Sequence, residues 1–100
     1  MDGFSALADP TRRRIVELLA DGPRDAGSLA SEFTVSRPAI SRHLRVLREA
    51  GVVKSTVAAQ RRVYAIDDSG LTQVTDWVDR YRRFWTTHLD RLEAVAKEQR

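Results

Sequence analysis

The residues best able to do chemistry in this chain are its arginines. There is no cysteine, and there are two histidines, His43 and His88. Without cysteine there is no disulfide framework and no thiolate metal site. Zinc-type sites need three or four nitrogen, sulfur or carboxylate ligands in fixed geometry, and the two histidines lack that spacing. No Gly-rich phosphate loop and no nucleophile beside a base is recognisable, so no enzyme reading survives. The arginines are a different matter. From Arg37 to Arg62 there are seven basic residues (Arg37, Arg42, Arg45, Arg48, Lys54, Arg61, Arg62) and one acid, Glu49, a window charge of +6. From Asp67 to Arg100, six basic residues meet seven acidic ones, giving −1. The chain as a whole carries only +3. A positive field concentrated in mid-chain attracts phosphates even when the whole protein is near neutral.

The elements that position these charges can be read from capping and periodicity. Asp9 followed by Pro10 is a helix start, since proline fits the first helical position, where its missing N–H has no partner anyway. Ile15, Leu18 and Leu19 make the apolar face of that helix, and Gly22-Pro23 stops it. Phe4, Leu7 and Ala8 suggest a short helix before it. A second helix is expected from about Ala26 to Phe33, capped by Asp25 or Ser28, with Leu29 and Phe33 buried. A three-residue connection, Thr34-Val35-Ser36, follows. Ser36 then caps a third helix that ends near Ala50, with Gly51 as its left-handed stop. Two β-rich runs, Val52–Val57 and Arg62–Ile66, bracket Ala58-Ala59-Gln60-Arg61 and read as a hairpin whose turn lacks glycine. From about Asp68 onward, Leu71, Val74, Val78, Tyr81, Trp85, His88, Leu92 and Val95 recur at helical spacing, and Trp77 and Phe84 widen the stripe. Some 28 residues span roughly 40 Å, against a radius of gyration of ~13 Å for a compact domain of this length. Such a helix is too long to cover its stripe on its own domain, and a partner helix is the simplest cover.

Two short helices joined by a tight turn form a helix–turn–helix, whose second helix enters the major groove. In the third helix Ile40, Leu44 and Leu47 point inward. Pro38, Ser41, Arg42 and Arg45 face outward, Arg48 lies at the edge and Arg37 sits in the first turn. Arginine donates two parallel hydrogen bonds to guanine O6 and N7, and Ser36 and Ser41 suit phosphate or base edges. Charge runs usually only solvate a surface, but a solvated helix mixes signs, whereas here one glutamate meets four arginines. Gln60, Arg61 and Arg62 sit at or beside the hairpin tip, where they either touch phosphate or minor groove or form an ordinary polar turn. His43 flanks the core face and reads better as packed against the neighbouring helix than as a base reader or metal ligand. His88 reads as buried in an interface rather than metal-bound. Arg12-Arg13-Arg14 reads as a solvated face, with Arg13 pairing Glu17, ahead of a DNA-backbone contact. Trp77–Trp85 reads as core and interface packing ahead of a ligand pocket.

LADPTRRRIVELLADGP, then SRPAISRHLRVLREAGVV, then RRVYAI, resembles the ArsR family of bacterial winged-helix repressors, over nearly the whole chain. The most specific stretch is Ser36 to Val53. WVDRYRRFW, Trp77 to Trp85, looks like the metal-independent, SdpR-like autorepressor branch. The resemblance implies five helices and a two-stranded wing, in a homodimer joined by the first and last helices. Its DNA-reading positions correspond to Arg37, Pro38, Ser41, Arg42 and Arg45. The chain departs from the metal-sensing members: where they carry Cys-Val-Cys it has Asp25-Ala26-Gly27, and in the terminal helix it has only His88.

The expectation is a mainly α, winged helix-turn-helix domain with a small β-hairpin. Residues 9–66 form the DNA-binding core. Residues 67–100 form a long dimerisation helix, to which 1–8 contribute. Phe4, Leu7, Leu71, Val74, Trp77, Val78, Tyr81, Phe84, Trp85, His88 and Leu92 are the expected interface. The expected partners are duplex DNA and a second copy, with no cofactor and no metal. No signal-peptide layout or membrane-length apolar run is visible, so the expected location is the cytoplasm. A sensor of the same fold with a small-molecule or metal effector is the alternative, and a winged-helix protein-interaction module without DNA binding is a third.

Overall fold

The computed structural model describes residues 2–98; the ends of the expected single domain, Met1 and residues 99–100 of the long helix, lie outside them. Helix α1 (Gly3–Ala6) starts where Asp2 Oδ1 accepts from the Ser5 N–H at 2.8 Å. Helix α2 (Pro10–Leu19) is capped by Asp9, whose Oδ2 accepts from the Arg12 N–H at 3.0 Å. Strand β1 (Arg24–Asp25) runs directly into helix α3 (Ala26–Ala30). Helix α4 (Arg37–Glu49) begins at the Ser36 cap, and its chain reverses at Gly51, φ +74°. Strands β2 (Val53–Ala58) and β3 (Arg61–Ile66) form the hairpin, and helix α5 (Asp68–Glu98) ends the described chain.

Three local expectations change. The second helix is shorter than its pattern suggested: α3 ends at Ala30, so the connection to α4 runs over six residues, 31–36, rather than three. Gly27, Ser28 and Ser31 are weak helix formers, and the Ser31 hydroxyl donates to the Ser28 carbonyl at 2.7 Å. Single-turn bonds, Glu32 N–H to Leu29 O and Phe33 N–H to Ala30 O, carry the chain round. Phe33 is partly buried rather than fully. The hairpin is tighter than expected, because Ala58 pairs with Arg61 and leaves a two-residue loop, Ala59-Gln60. Ala59 takes φ +57°, in the region glycine favours. The sheet also has a third strand: β1 pairs antiparallel with β3, Arg24 opposite Tyr64 and Asp25 opposite Val63, in the order β1-β3-β2. Two residues flanked by Gly22-Pro23 and a helix leave no period-2 signal to read.

One core unites these elements. Ala6, Ile15, Leu18, Leu19, Leu29, Ile40, Leu44, Leu47, Val52 and Val53 are buried together. Leu7, Tyr64, Ile66 and Leu71 pack on its edge. Beyond that edge α5 leaves the domain and has no buried residue. The longest dimension is 65 Å and the radius of gyration 18.5 Å, well above the ~13 Å of a compact 100-residue domain.

The joint between α4, α5 and α1 is made of backbone. The Gly70 N–H donates to the Gly51 carbonyl at 2.8 Å. A Cβ on Gly70 would fall on the Gly51 peptide, and one on Gly3 would lie 2.5 Å from the Gly70 carbonyl oxygen. Backbone cannot swing aside as a side chain would. Gly70→Ala is therefore expected to cost about 1–3 kcal/mol, the range for overpacking. An unchanged urea midpoint would contradict this crossing.

The aspartate caps predict an acid response. Asp2, Asp9, Asp25 and Asp67 have pKa values held below the usual 3.8, first by hydrogen bonds from the backbone N–H groups of Ser5, Arg12, Ser28 and Ser69. Folding then favours the ionised form, so this stabilisation is present above pH 3.8 and is lost as pH falls through the lower folded values. The melting temperature should hold from pH 7 to 5 and drop between pH 4 and 3. Equal values at pH 7 and pH 3 would rule out that linkage.

Candidate nucleic-acid interface

The outward side of α4 follows from its inward side. Ile40, Leu44 and Leu47 are fully buried, so at 100° per residue Arg37, Pro38, Ser41, Arg42 and Arg45 all stand exposed. Ser36 is exposed too, but its hydroxyl is engaged as the cap, accepting from the Ala39 N–H at 3.3 Å. Arg42 makes no side-chain hydrogen bond or ion pair among the described residues, and Arg45 pairs with Glu49 at 3.2 Å. The basic face is thus held out by a buried stripe, with its forward arginines uncommitted.

The wing extends this face. Arg61 and Arg62 lie within β3, and only Gln60 is at the loop. Arg62 Nη1 donates to Ser55 Oγ at 3.0 Å, and Arg48 Nη1 approaches the same oxygen at 3.5 Å. One hydroxyl on β2 therefore gathers an arginine from α4 and one from β3. Arg61 turns the other way and pairs with Asp25. Between the wing, the start of α3 and the start of α4 lies a 390 Å³ groove lined by Asp25, Gly27, Arg37, Gln60, Arg61, Arg62 and Tyr64 among others. The roles of Asp25 and Ser55 escaped the sequence reading. Asp25 had a signal as a cap, but its ion pair depends on β1, which had none.

His43 is partly buried, its Nδ1 3.9 Å from Asp9 Oδ2 at the start of α2, as expected of a packing histidine. Arg12 is not a solvated residue: its Nε donates to the Ala6 carbonyl at 2.6 Å and closes the end of α1. The expected Arg13–Glu17 pair is replaced by Arg14–Glu17 at 3.2 Å, one residue along the helix. No group of three or more His, Asp or Glu side chains suited to a metal gathers among the described residues. No helix among them is long and apolar enough to cross a membrane.

The stripe residues of α5 divide in two. Leu71 packs on the protein's own core, as does Leu7 at the end of α1, and Val74 lies beside Gly3. Phe4 meets Trp77 edge-on at 6.0 Å, and Trp77 sits 4.4 Å from Tyr81. Trp77 and Tyr81 are nonetheless exposed, as are Val78, Phe84, Trp85, Leu92 and also Leu89, Phe84 by 58% and Trp85 by 53%. His88 stacks on Phe84 within the same exposed stripe.

A helix–turn–helix with a basic outward helix and a wing defines a DNA-binding protein. Residues 9–55 match the bacterial regulatory protein family arsR. The chain is 50% identical over 86 residues to the HTH-type transcriptional regulator Rv2034 of Mycobacterium tuberculosis, covering 86% of this chain and 78% of that one. It is 37% identical over 75 residues to the transcriptional repressor SdpR of Bacillus subtilis, covering 75% and 83%. A crystal structure of a possible transcriptional regulator for arsenical resistance superposes with a TM-score of 0.75 at 45% identity, over 94% of this chain and 95% of that one. The chain belongs to the ArsR family. It is a winged helix-turn-helix transcriptional regulator and not an enzyme.

Proposed function

We propose that the protein is a cytoplasmic repressor that binds an inverted-repeat operator as a homodimer, independently of metal. The observation that carries this is the exposed face of α4, where Arg37, Ser41, Arg42 and Arg45 stand opposite a fully buried stripe. In this reading Arg37, Pro38, Ser41 and Arg42 read base edges, and Ser36, Arg45, Gln60, Arg61 and Arg62 hold the backbone. Fixing orientation falls to phosphate contacts and reading sequence to base contacts. Arg42→Ala is expected to cost about 1–3 kcal/mol in affinity and to relax preference at one operator position. The assay is selection from random duplexes followed by titration. Wild-type affinity and preference in the variant would remove Arg42 from that role.

The second copy covers the outer stripe of α5, which has no cover among the described residues. A two-fold pair of recognition helices then meets half-sites roughly 34 Å apart. Light scattering is expected to give twice the monomer mass. Trp85→Glu, at a position outside the core, should give a folded monomer with weakened DNA binding. A dimer indifferent to this substitution would place the interface elsewhere.

Metal independence rests on ligand chemistry. The neighbour described as a regulator for arsenical resistance invites a metal reading. Soft metals, however, select thiolates, and a chain without cysteine offers none. Zinc also takes imidazole and carboxylate, but the two histidines sit on different helices, His43 on α4 and His88 on α5. With no ligand switch, occupancy follows protein concentration, which suits autorepression. The same DNA titration should be unchanged by zinc or by chelator.

A further inference from the structure

Among the described residues, Asp25 is the single acid lining a groove that also holds Arg37, Arg61 and Arg62. It reaches this place because β1 pairs with β3 with Asp25 opposite Val63. Arg61 lies two residues along β3 from Val63, hence on the same face of the sheet and within diagonal reach. The two carboxylate oxygens do separate jobs. Oδ1 accepts from the Ser28 N–H at 2.7 Å and caps α3, while Oδ2 accepts from Arg61 Nη2. The Arg61 side chain is 72% exposed and that of Asp25 only 20%, so the guanidinium stays reachable while the carboxylate behind it is held in place. Arg37 acts on the same carboxylate electrostatically.

We propose that Asp25 is a built-in stand-in for a DNA phosphate: in the free protein it occupies Arg61, and duplex DNA must displace it to engage the wing. This rests on the DNA-binding reading above. A carboxylate and a phosphate oxygen compete for the same guanidinium donors, so Arg61 cannot serve both fully at once. The latch opposes binding to duplex of any sequence, because backbone contacts carry no sequence information. Asp25 therefore tunes how strongly the regulator holds DNA and leaves its sequence preference alone.

Asparagine and serine cap helices as well as aspartate does, so Asp25→Asn and Asp25→Ser keep the Ser28 bond and remove the charge. Binding to a random-sequence duplex is titrated at low salt for wild type, both variants, Arg61→Ala and the double variant Asp25→Asn/Arg61→Ala. Asp21→Asn removes an equal charge from the exposed turn after α2 and reports the general field. Both Asp25 variants are expected to bind roughly two- to fivefold more tightly than wild type, the scale of an exposed ion pair, and to exceed Asp21→Asn. In the Arg61→Ala background the gain should vanish. A gain no larger than that of Asp21→Asn, or one that persists without Arg61, overturns the latch alone. Failure of every protein, wild type included, to retain duplex overturns the DNA-binding reading and the latch with it.

Discussion

Ile40, Leu44 and Leu47 leave water together on one side of α4, against the residues that α2 and α3 bury. Each such side chain contributes about 1.5–3 kcal/mol on burial, so rotating α4 by even a quarter turn would cost more than any surface contact returns. The direction in which Arg37, Ser41 and Arg42 point is thus a consequence of the core. Polar side chains that make few contacts of their own are aimed by apolar ones that make many. The helix caps add to this aim: Ser36 fixes where α4 starts, and Gly51 fixes where its chain turns back.

From Gly51 the same constraint passes to the far end of the molecule. The Gly70–Gly51 hydrogen bond and the close approach of Gly3 bring backbone directly against backbone where α4, α5 and α1 meet. The axis of α5 is therefore set directly against the end of the DNA-facing helix. In a pair joined along α5, the separation of the two recognition helices would be set by this backbone contact and not by flexible side chains. The exposed aromatic stripe from Trp77 onward gives the chain a face that its own core does not reach.

Charge is distributed around this frame with little redundancy. Ser55 gathers Arg48 and Arg62 on one side of the wing, and Asp25 takes Arg61 on the other. Arg42 is left uncommitted among the described residues. The wing and the recognition helix thereby offer cations of different availability to one partner, a distinction that a net charge cannot express.

Much of this was legible in the amino-acid order. Asp9-Pro10, Ser36 and Gly51 punctuate helices through local backbone chemistry, and the 3.6-residue spacing of Ile40, Leu44 and Leu47 announces which face is inward. The overlong apolar pattern after Asp68 already marked a helix longer than its own domain could bury. These features depend on neighbours within a few positions, which is why a linear reading captures them. The end of α3 at Ala30, the turn at Ala59, strand β1 and the pairing of Asp25 with Arg61 did not show. Ser31 bonding its own turn competes narrowly with helix propagation, and propensity alone does not rank such close alternatives. Arg61 is 36 residues from Asp25, and a two-residue strand carries no periodicity, so that contact exists only once β3 has folded between its two neighbours. What the sequence determined by itself was the set of helices, the hairpin and the sign of the surface they present. Which arginines stay free and which are held was decided by tertiary structure, because ion pairs between distant residues depend on strand register that only the assembled sheet defines.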